Sequence, residues 1–274
     1  MSKAKLVFIG GGNMATSLIG GLIEKGYPVS HIVACDPVVD SGQRLETAFG
    51  ITTHTENVTA AMQADIIILA VKPQIMKAVA NDLAPALTHN KPLVISIAAG
   101  ITADALQGWL GEGVPVIRCM PNTPALVQSG ASGLFATNLV TPVQRQQAGD
   151  ILAAVGTVNW LDSEDDIDKV TALSGSGPAY FFLVIEAMTE AGIKLGLDPE
   201  TARQLTLQTA LGAARMASVS DVDAGELRKR VTSPAGTTEK AINSLLANKL
   251  PEHFEEAIGA AYERAKEMAD ELTV

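Results

Sequence analysis

This chain of 274 residues predicts a doubly wound α/β sheet followed by an all-α domain. Three observations carry that prediction. Short runs of Val, Ile and Leu alternate with helical patterns over the first half of the chain. A glycine-rich turn separates the first apolar run from the first helical pattern. Beyond residue 162 no convincing strand remains. The length suits two domains, divided as 1–162 and 163–274.

The strands are expected at 6–9, 32–35, 66–71, 93–97 and 114–119. They are apolar almost without interruption, as parallel strands covered on both faces must be. Helices are expected between them at 13–25, 43–49, 74–87 and 102–110. Thr141-Pro142-Val143-Gln144 offers an N-cap, a proline at N1 and a glutamine at N3, so a helix starts there. A last β-like segment covers 157–161, and Ser163-Glu164-Asp165-Asp166 reads as a capping box. Asp198-Pro199 opens a further helix by the same logic.

The helical half is unusual. Phe181, Phe182, Leu183, Val184, Ile185 and Met188 leave one helix without a polar face. Ala210-Leu211-Gly212-Ala213-Ala214 lets another helix be approached closely. One copy has too little chain to hide both, which predicts a homodimer with interleaved helices; the alternative is a compact monomeric bundle.

Apolar residues are 47% and charged residues 18% of the chain, a globular composition. The net charge of −10 disfavours nucleic acid or an anionic membrane as partner. Two cysteines are too few for a disulfide framework, and the first residues do not read as a signal peptide, so a cytoplasmic location is expected. His31, His54, His89 and His253 are scattered, no spacing suits a metal, and no metal site is expected.

Gly10-Gly11-Gly12-Asn13-Met14-Ala15 fits G-x-G-x-x-A between a strand and a helix, the Rossmann-type dinucleotide turn. Gly10 permits the turn, Gly12 lets a pyrophosphate approach the backbone, and Ala15 lets the helix pack on the strand. The helix then offers free N–H groups to phosphate. Asp36 ends the second strand, where an acid bonds the ribose 2′-OH of NAD; a plain Asp36-Pro37 turn is the alternative, and the choice between NAD and NADP stays open. Lys72, after Ala70-Val71 and before Pro73, meets either cofactor or solvent. Ile97, Ala98 and Ala99 end another strand with a surface a nicotinamide ring could lie on, although packing alone accounts for small residues there. Asn122, held between Pro121 and Pro124, reads as a substrate or nicotinamide contact or as a structural turn.

Two further strings stand in the helical half. Ser174-Gly175-Ser176-Gly177-Pro178 places two hydroxyls and two glycines ahead of the apolar helix. Ser233-Pro234-Ala235-Gly236-Thr237-Thr238 brings hydroxyls and free N–H groups to a helix start, a carboxylate site, or ordinary capping with Glu239 as the first-turn acid. No general base stands beside them: the turn after Pro178 offers Phe181 and Ile185, not Lys or Asn. Hydride addition to an already protonated imine needs no strong base; alcohol oxidation does.

The strings at 8–15, 70–73, 96–100, 118–124, 173–180 and 231–238 resemble the pyrroline-5-carboxylate reductase family from end to end. The resemblance implies a Rossmann domain, an interlocked helical dimer, often five dimers in a ring, and NAD(P)H-dependent reduction of 1-pyrroline-5-carboxylate to L-proline. It assigns Ile9, Gly10, Gly11, Gly12, Asn13, Met14, Asn57, Ala70, Val71, Lys72, Pro73, Ile97, Ala98 and Ala99 to the cofactor. It assigns Ser233, Gly236, Thr237 and Thr238 to the substrate carboxylate, with Thr238 also near the ring nitrogen as proton donor. Glu164 matches an acid that in relatives lies near the substrate, and Ser176 is a further candidate substrate residue. Two departures stand out. Ala235 replaces the family's usual Gly, which a negative φ would tolerate, and Asp36 replaces a small polar residue, against the usual NADP preference. The competing readings are a β-hydroxyacid-type dehydrogenase, disfavoured by Phe181 and Ile185, and a cofactor-binding sensor without turnover.

Overall fold

The computed structural model describes residues 3–88 and 90–273; His89 and the first two residues, on which the signal-peptide reading partly falls, lie outside it. The elements run β1 (Leu6–Ile9), α1 (Asn13–Glu24), β2 (Ile32–Cys35), α2 (Val39–Phe49), β3 (Thr52–His54), α3 (Asn57–Ala61), β4 (Ile66–Leu69) and α4 (Pro73–Leu87). Then come β5 (Leu93–Ser96), α5 (Ala103–Leu110), β6 (Val116–Met120), β7 (Gly130–Ala136), α6 (Pro142–Leu152) and β8 (Gly156–Trp160). The rest is helical: α7 (Asp166–Val170), α8 (Gly177–Lys194), α9 (Pro199–Val219), α10 (Ala224–Arg230), α11 (Thr237–Ala247) and α12 (Leu250–Leu272). A π turn, Thr171–Gly175, follows α7.

The eight strands form one sheet in the order β3-β2-β1-β4-β5-β6-β7-β8. Strand order reverses between β1 and β4, the switch point at which doubly wound sheets open a crevice at their carboxyl edge. Ile66, Ile67, Ile68 and Leu69 of β4 are at most 1% exposed. Each such side chain contributes roughly 1.5–3 kcal/mol on leaving water. The pleat sends Leu6 and Phe8 into one apolar layer and Val7 and Ile9 into the other.

The sheet is not wholly parallel, as the sequence led us to expect. β7 runs antiparallel to β6 and parallel to β8. It went unpredicted because Gly130-Ala131-Ser132-Gly133 lacks β-branched residues. Its glycines serve close packing: a Cβ on Gly133 would lie 2.9 Å from Val170. β3 is a short edge strand, also unpredicted. α2 begins at Val39, four residues early, because Gly42 lies inside it against Thr53.

The Thr141 box forms as expected: its Oγ1 accepts from Gln144 N, and Gln144 Oε1 accepts from Thr141 N at 3.0 Å. The box at Ser163 does not form. α7 starts after Asp165 with no side-chain cap, and Asp166 accepts instead from Lys169 Nζ at 2.7 Å. Arg145 stacks on Trp160, 4.1 Å from guanidinium carbon to ring centroid, and Lys77 lies over Trp109.

The chain divides into two compact units. One holds the residues up to Ser176 together with those from Ala261 onward; the other is Gly177–Ala260. Within the second, α8 packs on α9 through Gly192 and Ala202. Its large apolar side chains are outside: Phe181 is 70% exposed, Phe182 63% and Leu195 88%. The apolar helix is thus uncovered by its own chain. The run Asp166–Lys194 is long and apolar enough to cross a membrane by length and composition alone. It is broken by the π turn and carries Glu186 and Glu190.

Candidate functional site

The carboxyl edge of the sheet is built first. Gly10 N donates to Cys35 O at 2.7 Å, Ala70 N to Ile9 O at 2.8 Å and Ile97 N to Leu69 O at 3.2 Å. These bonds set the loops after β1, β2, β4 and β5 side by side. Gly10 has φ +103, and a Cβ there would lie 2.5 Å from the Ala70 carbonyl oxygen. Only glycine fits. Gly12 is different. It caps α1 with extended backbone, no side chain caps that helix, and a Cβ on Gly12 would meet nothing within 4 Å. The absent side chain leaves open space in front of the free N–H groups of Asn13 and Met14. Ala15 is fully buried.

Asp36 stands at the end of β2 with both oxygens engaged. Oδ2 accepts from Gly11 N and Oδ1 from Val38 N, each at 2.8 Å. The carboxylate therefore lies beside the glycine turn. Arg44 donates to Ser41 Oγ at 3.1 Å, within its own helix. Burial pushes the neighbouring Cys35 thiol up to about 11, and that of Cys119 further still, so neither is a thiolate near neutrality. Lys72 is the exposed N-cap of α4, followed by Pro73 at N1. Asn57 begins α3, and its Oδ1 is buried with no partner in the chain.

These observations fit a dinucleotide: a turn that only glycine can make, an open helix terminus and an unpartnered amide oxygen. A cavity of about 420 Å³ opens at the opposite, amino edge of the sheet, among Lys25, Tyr27, Gln147 and Asp150, far from this chemistry.

Glu164 is drawn inward. Its Oε1 accepts from Arg118 Nη1 at 2.6 Å and from Ala103 N at 2.7 Å. Arg118 is 3% exposed, and its Nε and Nη2 have no partner among the described residues. Asp168 lies near by, its carboxyl raised above the usual range chiefly by burial, against the lowering effect of Arg118. Glu164 thus joins β6 to the start of α5. Asn122, at the end of β6, has its amide committed on both sides: Oδ1 accepts from Ala131 N at 2.8 Å and Nδ2 donates to Ser174 O at 3.0 Å. Neither Glu164 nor Arg118 was legible as a pair, because 46 residues separate them.

In the helical unit, α11 starts after Gly236 with no side-chain cap. Glu239 reaches past the N-cap to accept from Ala235 N at 2.9 Å, so ordinary capping is only half made. Among the described residues no side chain caps the first N–H groups of α11, beside which stand the hydroxyls of Thr237 and Thr238. A Cβ on Gly236 would lie 2.7 Å from Ser233 Oγ, so glycine there makes room for the serine. Ala235 has φ +58, which corrects the expectation of a negative φ. It occupies the left-handed region at a cost of roughly 1–2 kcal/mol.

A glycine cradle at the switch point of a doubly wound sheet, with a helical unit carrying a second anion-ready helix terminus, defines an NAD(P)-dependent oxidoreductase. Residues 5–100 match the family model described as NADP oxidoreductase, coenzyme F420-dependent, and residues 164–268 match pyrroline-5-carboxylate reductase dimerisation. The pyrroline-5-carboxylate reductase of Pseudomonas aeruginosa is 54% identical over 99% of both chains. That of Vibrio alginolyticus is 42% identical over 98% of both. A solved pyrroline-5-carboxylate reductase from Coxiella burnetii superposes with TM-score 0.94 at 46% identity, covering 98% of this chain and 99% of that one. The Plasmodium falciparum enzyme, solved with NADP bound, superposes at 0.86 with 31% identity, covering 98% and 99%. The chain belongs to the pyrroline-5-carboxylate reductase family, and it is a homo-oligomer through its dimerisation domain.

Proposed function

We propose that this enzyme reduces 1-pyrroline-5-carboxylate to L-proline, the last step of proline biosynthesis. The observation that carries the reading is the uncapped start of α11, with Thr237 and Thr238 beside Ser233. A carboxylate there accepts from the Thr237 and Thr238 N–H groups, at the positive end of a helix of 11 residues. The Ser233 hydroxyl, given room by Gly236, and the threonine hydroxyls complete the cradle. Ser176 is a further substrate residue in this reading.

NADH or NADPH supplies the hydride when bound. Ile9, Gly10, Gly11, Gly12, Asn13 and Met14 would hold its pyrophosphate and Asp36 its adenosine ribose, with Asn57 also on the cofactor. Ala70, Val71, Lys72, Pro73, Ile97, Ala98 and Ala99 line the way to the nicotinamide. The substrate imine arrives protonated. As hydride adds to its carbon, the C=N π pair moves onto nitrogen, and the ring becomes a secondary amine. The proton already on nitrogen stays there, and the Thr238 hydroxyl serves as hydrogen-bond partner to that nitrogen. Glu164, assigned to the substrate, is held in place by Arg118 and Ala103, and the guanidinium offsets its charge.

The functional division follows 1–162 for the dinucleotide and 163–274 for dimerisation and substrate. The exposed apolar face of α8 is covered by a second copy, and five such dimers assemble as a ring in the cytoplasm. Oxidation of NADH and NADPH with 1-pyrroline-5-carboxylate, assayed side by side, is the test. Turnover is expected with at least one donor. Tight cofactor binding without turnover of this substrate overturns the proposal.

A further inference from the structure

The Ser174 carbonyl poses a problem that the sequence itself creates. In an α-helical ladder its partner would be the N–H of residue 178, and Pro178 has none. The chain answers with a π turn over Thr171–Gly175, closed by Ser176 N donating to Thr171 O at 2.8 Å. Such turns concentrate at functional sites. Ser174 Oγ turns back to Val170 O at 3.1 Å, and Gly175 lies against β6, where a Cβ would come 2.5 Å from Met120 Cε. The donor missing from residue 178 is supplied from elsewhere in the chain: Asn122 Nδ2 reaches Ser174 O at 3.0 Å. Its other amide atom is held by Ala131 N, which fixes the orientation of the amide.

We propose that Asn122 is a positioning residue, standing in for the N–H that Pro178 lacks and so setting the turn that presents Ser176 to the substrate. This rests on the placement of Ser176 given above. It gives Asn122 a role other than a nicotinamide contact, since one Nδ2 hydrogen and one Oδ1 lone pair are committed within the chain. Proline at 178 and asparagine at 122 thus form one device: the first frees a carbonyl, and the second fixes where it points.

The test is a coupling between the two positions. Asn122→Asp keeps the acceptor for Ala131 N, deletes the donor and sets a carboxylate oxygen against the Ser174 carbonyl. It is expected to raise KM for 1-pyrroline-5-carboxylate about tenfold, the effect of one lost buried hydrogen bond. The Kd for NADPH, read by fluorescence, is expected to stay unchanged. Pro178→Ala alone is expected to change little. In the double variant Asn122→Asp/Pro178→Ala, the new N–H at residue 178 restores KM towards the parent value. Asn122→Ala with and without Pro178→Ala repeats the cycle should the aspartate variant fold poorly. Weakened NADPH binding, or no recovery in either double variant, overturns the proposal. If the parent enzyme lacks turnover, the coupling is read in thermal melting: recovery by Pro178→Ala supports the Asn122 link even as the assigned reaction fails, and additive losses sink it.

Discussion

The sheet unit and the helical unit solve the burial problem in opposite ways. The sheet unit hides its own apolar residues, with β4 sealed between two layers. The helical unit hides almost none: Ala202 is its only buried apolar side chain among the described residues, while Val219 is 85% exposed. Both units are apolar in sequence, so composition alone does not distinguish them. The period does. Strands of four apolar residues find partners within the chain, whereas a helix apolar on every face needs more surface than one chain offers. The first unit is folded by its sequence, the second by its concentration.

The same contrast holds for the two anion-ready helix starts. At α1 the backbone demand falls on glycine, Gly10 at φ +103. At α11 it falls on Ala235 at φ +58, in a helical unit without a core to enforce it.

The largest test of this contrast is Gly12→Val. A Cβ meets nothing there, so the chain folds, but the side chain fills the open space proposed for the phosphate. Cofactor affinity is expected to fall at least about a hundredfold, on the order of 3 kcal/mol, with unchanged circular dichroism. Retained affinity would remove α1 from the cofactor site.

Next comes a pair. Ile68→Ala is expected to destabilise the sheet unit by about 3 kcal/mol in urea, at any protein concentration. Phe182→Asp should instead dissociate the oligomer in sedimentation and make Tm of the parent-like sheet unit the only transition left. A dimer surviving Phe182→Asp would mean that another face does the covering.

Ala235→Gly is expected to stabilise by up to about 1 kcal/mol, because glycine adopts that φ without steric cost. An unchanged or lower Tm would show that Ala235 relaxes on assembly.

The smallest effect is pH-dependent. The Asp168 carboxyl is raised, so the folded chain binds its proton more tightly than the unfolded one. Stability is lost as pH rises through its folded value. Asp168→Asn should therefore melt higher than the parent at neutral pH and alike in acid, below both values. Equal melting at every pH would show that the carboxylate is well solvated when charged.

Much of this was legible. The glycine turn at Gly10, the strand at 66–69 and the Thr141 box follow from local rules, because one residue and its neighbours decide them. β7 was not, since its glycines and alanines carry no strand preference and acquire one only from β6 and β8. The site divides the same way. Ser233, Thr237 and Thr238 stand in one string, and the string is the signal. Arg118–Glu164 and Asn122–Ser174 are long-range pairs, and the Ser163 box misled because Asp166, its N3 residue, pairs with Lys169 instead.

The stacked Trp160 has an optical consequence. Both tryptophans, Trp109 and Trp160, belong to the sheet unit, and the helical unit has Tyr180 alone as a phenolic chromophore. Indole emission therefore watches the sheet unit alone, whereas far-ultraviolet ellipticity sums the helices of both units. On dilution the ellipticity should fade first while the emission, fixed by Arg145 over the Trp160 ring, holds its colour, so the two signals separate association from folding in one cuvette.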